Sequence, residues 1–378
     1  MKRIVIFAFY DADGIADSYI GKLLSGIRPY ADWLIAVCNG GVNAGQEYIE
    51  AYADEVVVRE NRGYDAGAYK DVITGLIRAR RLPEYDQLVL FNDTIYGFFY
   101  PLSEMFRITD AKEKADLWGM TEHSGIGQHK GTGLAWHLQG YFLVINERLL
   151  HSPDFSAFWE KFEYPGSYTE AIFCFEIGMS QYFLEKGYIL KSIYSPDKIS
   201  VARDHDFGNL YFSHAYELVI RAKCPVLKVK SIENLSGMET LRYLERNGLY
   251  DPAAVWEHYR RRIRNKRAGR TGMENDTYDL DALWDFCRHH QRLYIYGNGE
   301  IGKRVYKCIE DKGYAVSGFL VTKKDCGKEH AEDVHAFSAM EFDEGCGIIL
   351  GMKREYREAV MDDILSRVDD RHVFMPMG

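Results

Sequence analysis

Residues 59–68 read Arg59-Glu60-Asn61-Arg62-Gly63-Tyr64-Asp65-Ala66-Gly67-Ala68, and the chain on either side has two unlike patterns. Before the segment, residues 55–58 are a short run rich in valine; after it, residues 66–80 carry apolar side chains at helical spacing. A strand that passes through two glycines directly into a helix is the joint of a β–α unit. The same alternation continues outward. Residues 3–10 and 33–38 read as strands, the second ending at Asn39-Gly40-Gly41; residues 18–30 have a helical period, and 87–91 form a fourth strand. Such alternation predicts a mostly parallel sheet with helices on both faces. Ligands of these sheets bind beyond the carboxyl ends of the strands. The loops to read are therefore 10–14, 39–41, 61–67 and 92–97.

The opening segment has chemistry of its own. Its glycines permit close backbone approach, and the helix that follows turns free N–H groups and its positive dipole end toward the loop, which favours an anion. Asn61 and Asp65 suit a base or ribose and Arg62 a phosphate; an Asx-turn with a helix cap uses the same residues. A second segment, Leu88-Val89-Leu90-Phe91-Asn92-Asp93-Thr94-Ile95-Tyr96-Gly97, ends an apolar run abruptly in Asn-Asp-Thr. A carboxylate at that strand end can hold a divalent cation, which in turn neutralises a diphosphate; a turn cap is the plain alternative.

Farther along, 116–121, 136–145 and 188–194 read as strands and 155–162, 168–186 and 213–223 as helices, the last stopped by Pro225. Seven of the eleven residues 260–270 are Arg or Lys, followed by a polar stretch. This reads as a linker, with docking to an anionic membrane surface as the functional alternative. A fresh unit begins near His290: a strand over 292–296, then Gly297-Asn298-Gly299-Glu300-Ile301-Gly302 opening a helix. That places a first α/β domain at 1–258, a linker at 259–289 and a Rossmann-like domain at 290–378. The Gly297, Gly299 and Gly302 loop has the context of a dinucleotide site. The second strand, however, ends in Thr322-Lys323-Lys324, where NAD requires an acidic residue for its ribose, so no NAD is expected.

Composition narrows the classes. Lys plus Arg number 47 against 56 Asp plus Glu, a net charge of −9, which argues against a nucleic-acid partner. The seven cysteines are scattered without a CxxC pair, which predicts neither a disulfide framework nor a structural zinc site and points to a reducing compartment. No run approaches the ~18 apolar residues of a membrane helix, and the N-terminal residues read as a buried strand rather than a signal peptide. A cytoplasmic protein is expected, at the inner face of the membrane if the basic run docks there.

Four motifs in order carry a resemblance: Glu60–Ala68, Leu90–Gly97 with Pro101 following, Trp118–Thr121 and His137–Val144. Together they resemble the rhamnan synthesis protein F family of glycosyltransferases, over roughly residues 1–235. The resemblance implies a GT-A-like nucleotide-sugar fold, a dTDP-rhamnose-like donor and a polysaccharide or lipid-linked glycan acceptor at the cell surface. It implies donor-binding roles for Asn61, Arg62, Gly63, Asp65, Gly67, Asn92 and Thr94, and acceptor-side roles for His137 and Gln139. Asp93 would hold Mg²⁺ or Mn²⁺, with His214 (or His205) as a further ligand. The metal motif usual in that fold has Asp at its first and third positions, where this chain has Asn92 and Thr94. Inverting enzymes of the fold place their catalytic base four residues before a Ser and eleven before a Gly. Glu176 has both spacings, to Ser180 and Gly187, with Glu170 in reserve. Two other classes stay open: a nucleotide-dependent oxidoreductase or epimerase built on the C-terminal glycines, and a non-catalytic sugar-binding module.

Overall fold

The computed structural model describes residues 1–111, 114–123, 135–195, 199, 214–233, 235–267, 280–322, 334–352 and 354–375. His205, Lys323 and Lys324 lie outside the described residues. The chain packs as two compact units. The first comprises Met1–Tyr211, Glu217–Val229 and Leu244–Ile263; the second comprises Phe212–Tyr216, Lys230–Tyr243 and Arg264–Gly378.

The first unit contains strands β1 (Arg3–Tyr10), β2 (Trp33–Asn39), β3 (Glu55–Arg59), β4 (Gln87–Asn92), β5 (Ile95–Gly97), β6 (Leu117–Gly119), β7 (Glu122–His123), β8 (His137–Leu138), β9 (Phe142–Asn146), β10 (Leu190–Ser192) and β11 (Val226–Lys228). Seven of them form one sheet in the order β10-β6-β9-β4-β1-β2-β3. β4, β1, β2 and β3 run parallel, as do β10 and β6, while β9 is antiparallel to both of its neighbours. This is the mostly parallel α/β architecture expected. The unbroken apolar run of β1 follows from burial on both faces. Ile4, Ile6 and Ala8 pack with Tyr69, Ile73 and Leu76 of the helix Tyr64–Arg78, and the alternate residues Val5, Phe7 and Phe9 are equally buried.

Several expected elements differ in detail. The strand read over 136–145 is broken in two. β8 pairs with β7 in a separate ribbon, and the chain turns at Gln139–Tyr141 before β9 enters the sheet. At this turn Gly140 is packed so closely that a Cβ would lie 2.6 Å from Phe175 Cε1. The helix read over 168–186 is continuous but carries a π-helical stretch at Ile172–Ile177. The basic run read as a linker is also helical, within Ala253–Arg267. Charge density there does not mean solvation: Arg261 is an ion-paired, largely buried residue.

The second unit holds β12 (Arg292–Tyr296), β13 (Val316–Val321), β14 (Val334–Ala336), β15 (Cys346–Leu350) and β16 (Val373–Phe374), all parallel, in the order β14-β13-β12-β15-β16. Strand order reverses at β12, so the Gly297–Gly302 loop opens at the point where such sheets bind ligands. The second unit has its own apolar core, centred on Leu293, Ile295, Ile309 and Ile349.

Candidate active site at the carboxyl ends of the first sheet

Because β1–β4 are parallel, the loops that follow them emerge at one edge. The turn after β3 is tightly specified. Gly63 and Tyr64 both take left-handed dihedrals, φ +79° and +58°, a conformation costly for tyrosine and found most often at functional turns. A Cβ at residue 67 would meet the Arg62 carbonyl at 2.1 Å, so only glycine fits. Arg59, to which the sequence reading gave no role, locks the turn with its whole fork. It donates to Asp71 Oδ2 (2.7 Å), Asn39 Oδ1 (2.6 Å) and the Arg62 carbonyl (2.8 Å).

The helix start proposed for a phosphate is partly filled by the chain itself. Asp65 Oδ1 accepts the Ala66 N–H (2.9 Å), and Asp65 Oδ2 accepts from Asn92 Nδ2 (2.6 Å). Burial raises the proton affinity of Asp65; Asn92 opposes this and the Glu176 charge adds to it. Asn92 is buried and fully used, its Oδ1 receiving Thr94 N (3.1 Å) and Thr94 Oγ1 (2.6 Å). Asn92 and Thr94 thus shape the loop rather than offering free ligands. Asn61 and Arg62 are exposed, and the Arg62 guanidinium rests 4.4 Å from the Tyr164 ring centroid.

Asp93 lies just past β4. One oxygen, Oδ2, accepts the Tyr10 N–H (2.9 Å) at the end of β1. Burial, and then the Asp65 and Asp11 charges against the Tyr10 hydrogen bond, push its pKa up to about 7. Asp11 is held by Arg261 Nη2 (2.7 Å), as is Asp17 (2.6 Å). Among the described residues no group of three His, Cys, Asp or Glu side chains is placed to hold a metal. Asp93 belongs to the first unit and His214 to the second, where burial, and then Lys307, lower the His214 pKa to about 4.

The π stretch carries Glu176 to the same edge. Its Oε1 accepts the Gly140 N–H (2.8 Å), and the next residue, Tyr141, gives its carbonyl to Asn92 N (3.3 Å). Three segments distant in sequence therefore bring Asp65, Asn92, Asp93 and Glu176 together. Insertions of this π type recur at functional sites because they re-aim a side chain. Glu170, the reserve candidate, is a helix cap. Its Oε2 accepts Gly166 N (2.7 Å) while its own N–H donates to Ser167 Oγ (3.2 Å).

The acceptor-side pair turns out to be internal. Gln139 is buried and accepts from Thr121 Oγ1 (2.6 Å), which also bonds Tyr141 OH (2.6 Å). His137 is 2% exposed and lies behind Glu176, Nε2 to Oε2 3.6 Å. Both side chains of this motif are buried, and a motif's spacing does not reveal which side of the backbone faces solvent. Two features of this edge had no signal in the local pattern: Arg261, and the exposed ring of Tyr10 at the end of β1 (48% exposed).

The candidate site is thus a carboxylate-rich edge at the strand ends of a mostly parallel α/β sheet, entered through a strained glycine turn. The particular assignment follows from the family comparison: residues 34–272 match the family described as rhamnan synthesis protein F, and the chain belongs to it. The chain is similar to the uncharacterized protein y4gN of Sinorhizobium fredii, 26% identical over 153 residues, covering 40% of this chain and 38% of that protein. The chain thus spans about two-fifths of the curated relative it matches. Solved structures with some likeness include a 4-diphosphocytidyl-2C-methyl-D-erythritol synthase (14% identical, 58% of this chain and 100% of that one, TM-score 0.32). The synthase of the same name from Anaerococcus prevotii is 10% identical, over 51% and 86% of the two chains, with TM-score 0.31. Likeness at these scores says nothing of the reaction.

Proposed function

We propose that the chain transfers a sugar, rhamnosyl in type, from a nucleoside-diphosphate donor to a hydroxyl of a cell-surface glycan, with inversion at the anomeric carbon. The observation that carries this reading is Glu176, anchored by the Gly140 amide at the edge where Asp65, Asn92 and Asp93 converge. Glu176 takes the acceptor hydroxyl proton as that oxygen attacks the anomeric carbon. The C–O bond to the diphosphate breaks, and its electron pair leaves with the diphosphate. Arg62, exposed and braced on Tyr164, meets the diphosphate; Asn61 and the Tyr10 ring meet ribose and base. A magnesium or manganese ion, if required, fits Asp93 only with the diphosphate supplying most of its ligands, and there it would neutralise the leaving group. Asn92 and Thr94 stay positioning residues.

Calorimetry with dTDP-, UDP- and GDP-sugars and with NADH tests the donor class. A dTDP-sugar is expected to bind most tightly, and Arg62→Ala to weaken it about 10–100-fold, the worth of a charge-assisted hydrogen bond. Glu176→Gln is expected to keep that affinity and lose about 10²–10⁴-fold in turnover. Micromolar NADH binding without binding of any nucleotide sugar would favour the oxidoreductase reading instead.

A further inference from the structure

We propose that His137 is the proton partner of Glu176: the two side chains form a buried relay in which the proton taken from the acceptor passes through Glu176 to His137 Nε2. The proposal rests on Glu176 being the base. The geometry on the histidine side is restrictive. His137 Nδ1 lies 2.8 Å from the Ala135 carbonyl oxygen, which can only accept, so Nδ1 carries the hydrogen and Nε2 of the neutral ring presents a lone pair. That lone pair is 3.6 Å from Glu176 Oε2, while Glu176 Oε1 is tied to the Gly140 N–H. The gap is just beyond a hydrogen bond, and such distances in a free enzyme shorten once substrate is bound.

In the form where the ring is neutral and the carboxyl ionised, an imidazole lone pair and a carboxylate oxygen face each other across this gap. The pair is therefore built to receive a proton. As the acceptor oxygen bonds to the anomeric carbon, its proton moves to Glu176 Oε2 and on to Nε2, leaving an imidazolium beside a restored carboxylate. The imidazole is 2% exposed, so it does not touch the acceptor and acts only through Glu176. The His123 ring stacks on His137 at 4.9 Å and 10°, and burial, then a positive charge on His137 and that of Lys228, push its pKa down to about 4, so His123 stays neutral when His137 takes the proton. Glu122, beside it in β7, receives Ser192 Oγ (2.5 Å). On the glutamate side stand Asp65 and Tyr168, each electrostatically coupled to Glu176. Ser180 Oγ, from the helix that follows the π stretch, bonds Leu138 N (3.1 Å) and fixes β8 beside that helix.

Two titratable groups that share a proton titrate as a pair. In the proposed relay the proton taken by Glu176 is shared with His137, so removing His137 leaves Glu176 to hold it alone. The full chain is followed by release of dTDP from dTDP-L-rhamnose between pH 5 and 9, and by ¹⁵N NMR of its imidazoles. For His137→Gln, the acid limb of kcat is expected to move to lower pH by about one pH unit or more. The plateau should fall about tenfold or more, with the donor KM unchanged. In Glu176→Gln, one Nδ1-protonated imidazole among the twelve histidines should titrate at lower pH than in the wild type. An acid limb that stays in place in a folded His137→Gln protein overturns the relay. So does a Glu176→Gln protein in which every imidazole keeps its midpoint, and this comparison decides even if His137→Gln does not fold. Wild-type dTDP release by Glu176→Gln overturns the base reading itself. A wild type that releases no dTDP counts against the donor, and the NMR comparison then judges the relay alone.

Discussion

At the scale of single residues, Gly140 is where packing and chemistry meet. Its N–H holds the Glu176 carboxylate, and its missing side chain makes room for the Phe175 ring. An added Cβ would lie 2.6 Å and 3.1 Å from two Phe175 ring atoms and 3.2 Å from Glu176 Cγ. Phe175 is 2% exposed and packed against Trp159, Phe162 and Tyr69, so it has no direction in which to yield. Overpacking a site of this kind costs about 1–3 kcal/mol. Gly140→Ala is accordingly expected to lower the melting temperature by several degrees and to displace Glu176. Turnover should fall while nucleotide-sugar affinity, measured by calorimetry, stays near the wild-type value. Equal losses of binding and turnover would separate Gly140 from the base and leave it a packing residue.

The helix Ala253–Arg267 shows how an element read as a tether becomes part of the site's support. From it Arg261 reaches into the loop after β1 and holds two carboxylates at once, Asp11 and Asp17, with Asp13 at 3.8 Å. Arg261 is 13% exposed, Asp11 17% and Asp17 8%, so the paired charges are poorly solvated. Burial raises Asp17 despite the guanidinium; for Asp11, burial is outweighed by Arg261 and the Ile15 N–H, and its proton affinity falls. On the same helix His258 bonds Tyr96 OH (2.7 Å) and stacks on Tyr19, whose hydroxyl in turn donates to the Asp93 carbonyl (3.0 Å). Removing one member of a buried ion pair costs about 3–5 kcal/mol, chiefly because the partner is left charged and dry. Arg261→Ala should therefore lower urea stability by about 3 kcal/mol, and adding Asp17→Asn should restore part of it. A loss below about 1 kcal/mol would mean that the cluster is solvated and unimportant to the fold. A chain ended at residue 258 lacks Arg261 and should be weakened in the same way, so a division at 258 cuts into the first unit.

For the whole molecule, each unit has a complete core of its own. One is built on Ile4, Ile6, Leu88 and Leu90 with the aromatic cluster around Trp159, the other on Leu293, Ile295, Ile309 and Ile349. Units with separate cores tend to unfold as separate cooperative blocks. Scanning calorimetry of the full chain should therefore show two transitions. Ile349 is fully buried between β12 and the helix Glu300–Asp311. Ile349→Ala should cost about 2–5 kcal/mol and lower one transition while leaving the other, and nucleotide-sugar binding, unchanged. A single transition that moves as a whole would make the chain one cooperative block.

The sequence by itself determined whatever depends on neighbours along the chain. The apolar runs of β1, β2 and β4 announced buried parallel strands because burial on both faces leaves no polar alternation. Gly63 and Gly67 marked the β3 turn because no other residue fits there. The spacing from Glu176 to Ser180 singled out Glu176 as a candidate, and only the fold shows its carboxylate accepting the Gly140 N–H. Only the tertiary structure decided matters fixed by contact between distant segments. β9 enters antiparallel between β4 and β6, Asn92 spends its amide on Asp65, and Arg261 closes on Asp11 across 250 residues. His137 and Gln139 sit in a motif that looks like substrate contact, yet both face inward. The physical reason is that periodicity records which residues are apolar, while the direction of a polar side chain is set by which donor or acceptor the folded chain brings within 3 Å of it.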